Sequence, residues 1–262
     1  DKTFNNHVVT PVTAQFDFTK ALAGRQLNAG EFSFELVDPS DTSTDPNGKV
    51  LQTKTNDANG LVKFDALTFK NGQEGTHKYI VREVQGSLTG VTYDPMKAEV
   101  TVAVTKSGHA LTAVTTLPTD TEFNNTFTPS PVKVNLEFDK SLSNGTLNAG
   151  DFSFTLTANT AGDTNTDQRV TNAANGKINF SELSFDKEGV YNYTVKEVKG
   201  DKSDVDYDEM TVAVKVTVTK DEDSGLLTAK TEMTATGGEA TGADDKTFNN
   251  HVVTPVTAQF DF

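Results

Sequence analysis

Apolar and polar residues alternate with a period of two along most of this chain. Val12–Lys20 places Ala14, Phe16, Phe18 and Lys20 on one face, and Phe32, Phe34 and Leu36 alternate next. The pattern continues through Leu61–Phe69, Tyr79–Val84, Ala98–Thr105 and Ala110–Thr115. A second set follows in the same order: Val134–Lys140, Phe152–Leu156, Lys177–Phe185, Tyr191–Val198, Thr211–Thr219 and Leu226–Thr234. Period-two alternation of β-branched and aromatic residues predicts strands with one buried face. Breaks rich in Gly and Asp, such as Asp38–Gly48, Lys70–Gly75 and Thr105–His109, predict turns and loops. No amphipathic helix of useful length is predicted.

The second set of strands is a repeat of the first. LNAGEFSFEL (Leu27–Leu36) returns as LNAGDFSFTL (Leu147–Leu156), and VTYDPM (Val91–Met96) returns as VDYDEM (Val205–Met210). A longer period encloses both copies, because residues 1–18 recur unchanged as residues 245–262. Such self-similarity marks one period of a tandem array. The boundaries read as 1–11 for the end of a preceding repeat and 12–127 for a first domain. A short Pro-containing linker, 128–131, leads to a second domain at 132–252, and 253–262 starts the next repeat. Six or more short strands per copy predict an all-β fold: two tandem immunoglobulin-like antiparallel β-sandwich domains. The short TPSP linker (Thr128–Pro131) makes the expected assembly elongated and semi-rigid.

Composition narrows the function classes. There are 23 basic and 37 acidic residues, for a net charge of −14, which argues against nucleic acid and against polybasic contact with anionic lipid. Cysteine is absent, so an extracellular stalk would need some other staple. No apolar run approaches the length of a membrane span, so no membrane contact is expected in these residues. Asp38, Asp41, Asp45 and Asn47 share one loop but lack the closing Glu of a calcium loop, and they read as solvated. Asp221, Glu222 and Asp223 read the same way, in a hairpin turn. The four histidines lack zinc spacing, and no phosphate loop or nucleophile elbow is present. No metal, cofactor or turnover chemistry is therefore expected.

The alternation puts polar groups on the core face. The inward series Phe16, Phe18 continues to Lys20, and Leu136, Phe138 continues to Lys140. Tyr79, Val81 continues to Glu83, and Tyr193, Val195 continues to Glu197. Phe123 leads to Asn125 and Phe248 to Asn250. Buried charges are costly unless paired or neutralised. A matched Lys, Glu and Asn in both copies predicts one buried cluster per domain. Burial lowers the pKa of a Lys and raises that of a Glu, leaving a neutral nucleophilic amine beside a protonated acid. The acid is then expected to polarise the Asn carbonyl and to shuttle protons as ammonia leaves. The product is an intramolecular Lys–Asn isopeptide bond, with proximity in a folded core replacing a separate enzyme.

At these residues the chain resembles the streptococcal pilin isopeptide-linkage domain family of Gram-positive pilins and surface adhesins. The first copy shows FTKALAGRQLNAGEFSFEL, YIVREV, VTYD and EFNN; the second shows FDKSLSNGTLNAGDFSFTL, YTVKEV, VDYD and TFNN. The resemblance implies that Lys20 joins Asn125 with Glu83 assisting, and that Lys140 joins Asn250 with Glu197 assisting. Asn124 and Asn249 are the alternatives if a bulge shifts strand parity. Asn6 would close a preceding unit and is expected to be unpaired. Asp94 and Asp208, after the tyrosines, read as turn residues. The role implied is a stalk repeat of a cell-wall-attached surface adhesin or fibril. Its partners would be neighbouring repeats of the same chain, with any host ligand bound by a separate tip domain, and the chain is expected to be monomeric. A multivalent host-ligand module and a polymerised pilin subunit are the alternatives.

Overall fold

A computed structural model describes residues 6–43, 45–254, 256 and 258–259. The ends of the flanking segments 1–11 and 253–262, including Phe4 and Phe262, fall partly outside the described residues. The chain forms two compact units that change over between Thr128 and Pro129. Both are built from strands alone among the described residues.

The first unit opens with β1 (Val12–Ala14), β2 (Asp17–Ala23), β3 (Ser33–Asp38) and β4 (Lys49–Thr55). It continues with β5 (Leu61–Lys63), β6 (Leu67–Phe69), β7 (Gly75–Glu83) and β8 (Val91–Thr92). It ends with β9 (Lys97–Ser107), β10 (Ala110–Thr116) and β11 (Glu122–Phe127). A five-stranded sheet, ordered β10-β9-β7-β3-β4, packs against a four-stranded sheet, β5-β2-β11-β8, while β1 and β6 form a short ribbon. Phe18, Phe34, Val81, Val100 and Phe123 are sealed between them.

The second unit repeats this plan. It starts with β12 (Val132–Val134), β13 (Glu137–Ser143), β14 (Ser153–Ala158) and β15 (Gln168–Thr171). Next come β16 (Lys177–Asn179), β17 (Leu183–Phe185), β18 (Gly189–Val198) and β19 (Val205–Asp206). The last three are β20 (Thr211–Lys220), β21 (Leu227–Thr236) and β22 (Thr247–Val252). Its sheets are β15-β14-β18-β20-β21 and β16-β13-β22-β19, with a β12-β17 ribbon. Phe138, Phe154, Val195, Val212 and Phe248 fill the core. Asp221–Leu226 closes the β20–β21 hairpin, with the Asp221 N–H donating to the Leu226 carbonyl at 2.9 Å.

The all-β sandwich reading holds, and three details refine it. The first and last long strands of each unit are parallel neighbours: β11 lies beside β2 and β22 beside β13, within otherwise antiparallel strand pairings. Second, the stretches read as single strands at Val12–Lys20 and Leu61–Phe69 are each split. Phe16 and Phe64 remain buried through the breaks, so the alternation conceals them. There the Gln52 side chain stands in for a strand partner, accepting from the Asp65 N–H at 2.8 Å and donating to its carbonyl at 3.0 Å. Gln168 does the same for Ser181. Third, β4 and β15 were not anticipated, since as edge strands they present little apolar surface to the core, β15 only the half-buried Val170.

Candidate crosslink site

β2 carries Lys20 inward because Phe18 and Lys20 share its buried face. Main-chain contacts then fix the height of that strand. The Lys20 N–H donates to the Gly60 carbonyl at 2.7 Å, and the Lys140 N–H to that of Gly176 at 2.7 Å. Gly60 and Gly176 have φ of +85° and +83°, and a Cβ there would lie 2.2 Å and 2.5 Å from the Lys20 and Lys140 carbonyl oxygens. Only glycine allows both the dihedral and the approach. Gly176→Ala is expected to cost on the order of 1–3 kcal/mol, read as a lower denaturation midpoint for the second unit. An unchanged midpoint would refute this account of the turn.

The parallel register sets Phe123 opposite Lys20 and Asn125 opposite Leu22. Phe123 is anchored by rings from both sheets, with centroids 5.9 Å from Phe18 and 5.1 Å from Phe34. Asn125, two residues on, therefore faces the same interior. Glu83 arrives from the facing sheet at the end of β7. The second unit sets Phe248 opposite Lys140 and Asn250 opposite Leu142, with Glu197 coming from β18.

The three predicted groups meet in each unit. Lys20 Nζ lies 3.3 Å and 3.4 Å from the two Glu83 oxygens, and Asn125 Nδ2 donates to Glu83 Oε1 at 2.8 Å. Lys140 Nζ lies 3.0 Å from Glu197 Oε2, and Asn250 Nδ2 donates to Glu197 Oε1 at 2.8 Å. The Lys and Glu side chains are 0% and 0% exposed in the first unit, and 0% and 1% in the second. Each amine sits over an aromatic face, 4.8 Å from the Phe32 ring centre or 4.7 Å from that of Phe152. Asn124 is exposed, and the Asn124 and Asn249 amides bond to carbonyls of their own strands. Asn6 is exposed.

Burial dominates the electrostatics. Desolvation pushes the Lys20 and Lys140 amines below the usual lysine range, opposed by attraction to Glu83 and Glu197. It pushes Glu83 and Glu197 above the usual carboxylate range, opposed by the lysines. Both directions favour a neutral amine beside a protonated acid.

One expectation is corrected by the geometry. Glu83 and Glu197 do not face the asparagine carbonyls; they hold the amide nitrogens. The carbonyl oxygens instead accept main-chain N–H groups from Asp94 and Asp208, each at 2.8 Å. The two aspartates, read as turn residues, are thus part of the site. The repeated Tyr-Asp pairs, Tyr93-Asp94 and Tyr207-Asp208, were the available signal.

The remaining candidates stay apart from this chemistry. Asp38, Asp41 and Asp45 accept main-chain N–H groups two residues ahead, at Ser40, Ser43 and Asn47. Among the described residues no cluster of three or more His, Cys, Asp or Glu is arranged to hold a metal. Among the described residues no helix is long and apolar enough to cross a membrane.

A protein-family comparison draws both sites together. The family described as FctA, Spy0128-like isopeptide containing domain, matches residues 16–128 and again residues 136–253. The chain belongs to this family. The two matches include both Lys–Glu–Asn clusters. No curated protein matches the chain. Among solved structures it is similar to the major pilin protein T3.2 of Streptococcus pyogenes, at 18% identity over 92% of this chain and 97% of the other, with a TM-score of 0.30. It is also similar to GBS52, the minor pilin of Streptococcus agalactiae, at 13% identity over 94% and 99% and a TM-score of 0.25. BcpA, the major pilin subunit of Bacillus cereus, gives 12% identity over 86% and 69% and a TM-score of 0.27.

Proposed function

We propose that this chain is a structural stalk repeat of a Gram-positive cell-surface adhesin or fibril, with each unit locked by a self-made isopeptide bond. Lys20 joins Asn125 and Lys140 joins Asn250, assisted by Glu83 and Glu197. The observation that carries this reading is the same buried Lys–Glu–Asn contact set in two units, joining first strand to last.

The geometry supports a simple sequence of events. The neutral Nζ adds to the asparagine Cγ, forming a C–N bond. The protonated Glu, already bonded to Nδ2, gives its proton to that nitrogen, the Cγ–Nδ2 bond breaks and ammonia leaves. A proton from Nζ returns to the carboxylate, so the acid is regenerated while the Lys and Asn are consumed. Chemistry of this kind turns over once per unit and requires no cofactor.

Family membership supports placement outside the cell, attached to the wall, in a pilus-like or adhesin assembly. Repetition within one chain favours a spacer made of successive repeats over a singly polymerised subunit. The test is the intact mass of the denatured chain. Two completed bonds predict a deficit of about 34 Da, two ammonias, against the plain sequence. A mass equal to the plain sequence would sink the reading.

A further inference from the structure

We propose that the main-chain N–H of Asp94, and of Asp208 in the second unit, is the oxyanion donor of the crosslinking reaction. The carboxylate of the same residue is the positioning group that holds this donor against the asparagine. The proposal deepens the crosslink reading and rests on it.

A main-chain N–H can only donate. Its approach to Asn125 at 2.8 Å therefore assigns the amide oxygen to the Asp94 side and the leaving nitrogen to the Glu83 side. The asparagine is gripped at both ends before any reaction. When Nζ adds to Cγ, negative charge develops on Oδ1. A donor already aimed at that oxygen stabilises the charge without reorganisation. Glu83 cannot fill this role, since its oxygens are engaged with the amide nitrogen and the amine. The division of labour is clear: Glu83 handles protons on the two nitrogens, and Asp94 holds the oxygen.

The carboxylate explains why the N–H stays in place. Asp94 Oδ2 accepts the N–H of Asn124, the residue just before the acceptor, at 2.7 Å. Asp94 Oδ1 accepts the N–H of Met96 at 2.8 Å, closing the turn. One side chain thus ties the donor both to its own loop and to the strand that presents Asn125. The second unit repeats the arrangement, with Asp208 N–H to Asn250 Oδ1 at 2.8 Å and Asn249 N–H to Asp208 Oδ2 at 2.7 Å. The Met210 N–H reaches Asp208 Oδ1 at 2.8 Å, and the Glu239 N–H reaches the same oxygen at 3.1 Å. A residue serving only to close a turn would not need the contact with the asparagine oxygen or with the preceding N–H.

The test follows ammonia loss in time. Full chains made by short cell-free synthesis are quenched in acid at intervals, digested after denaturation, and each unit's crosslink is read by mass. Absence of ammonia loss in the unsubstituted chain defeats the crosslink reading itself, whatever the aspartates do. If that chain reacts, Asp94→Ala is expected to slow the first unit about tenfold or more, the order a loosened donor costs, while the second unit keeps its rate. Asp94→Asn is expected to be intermediate, because its one carbonyl oxygen can take the Asn124 N–H while its amino group opposes that of Met96.

A structural control uses Lys20→Ala chains, which cannot react in the first unit. There the Asn125 Cγ carbon resonance reports the hydrogen bond to its oxygen. It is expected to move upfield when Asp94→Ala or Asp94→Asn is added, with the unit still folded. Should Asp94→Ala unfold the unit, Asp94→Asn decides by the same two readouts. An unchanged crosslinking rate, or a slow rate with an unmoved Asn125 resonance, overturns the proposal.

Discussion

Stretched between its ends, the chain is expected to show no unfolding step from either unit. With the proposed bond in place, tension entering along β2 would cross from Lys20 to Asn125 and leave along β11, so residues 21–124 would carry no load. The corresponding bond in the second unit would spare residues 141–249. Lys20→Ala removes the shortcut in one unit and leaves the other as an internal control. That variant is expected to add a single step of about 350 Å, the reach of the roughly 110 residues from β2 to β11 less their folded span. Single-molecule force extension reads this directly. Steps of that size in the unsubstituted chain would mean that the two strands are not covalently joined.

The second large effect is on thermal stability. Tying residues 20 and 125 together closes a loop of about 100 residues, which restricts the unfolded chain by about 4–5 kcal/mol on the analogy of a disulfide. Asn125→Ala abolishes that restriction. It also leaves the Lys20–Glu83 pair buried without its third member and the Asp94 N–H without its acceptor, each an added cost. A unit of this size moves by about 4 °C per kcal/mol, so its transition should fall by about 15–20 °C or more. The second unit's transition should stay in place. Calorimetry, with limited trypsin digestion at an intermediate temperature, checks both. A fall of only a few degrees would leave the bond without its assigned weight.

Much of the site was legible because a half-buried strand makes burial a matter of parity. Lys20, Glu83 and Asn125 follow aromatic or aliphatic residues at a spacing of two, and the structure buries each of them. The sandwich was legible for the same reason. Other features leave no such trace. The edge strands β4 and β15 carry few apolar residues, Val50, Leu51 and Val170, in no alternating run, so no periodicity betrays them. The breaks at Phe16 and Phe64 keep a buried residue in phase, and the glutamine that patches one of them comes from β4, whose side chains show no apolar alternation. The parallel pairing of β2 with β11 joins segments a hundred residues apart. The donor to Asn125 is a main-chain N–H, a group every residue but proline carries, so only the repeated Tyr-Asp pair marked its place in the sequence. The same limit assigned Glu83 to the wrong end of the asparagine amide.

The burial of the cluster has a consequence for timing. Lys20 and Glu83 are separated by 63 positions along the chain, and Glu83 and Asn125 by 42. In an unfolded polypeptide the three are dilute in one another and bathed in water, which keeps the amine charged and inert. They meet, and lose that water, only when both sheets have closed over them. A length of chain still being threaded through a narrow exit would therefore remain supple and reversible. Each unit would harden only after reaching its native form, and a unit that misfolds would never set. The proposed bond would thus serve as a permanent receipt that folding was completed.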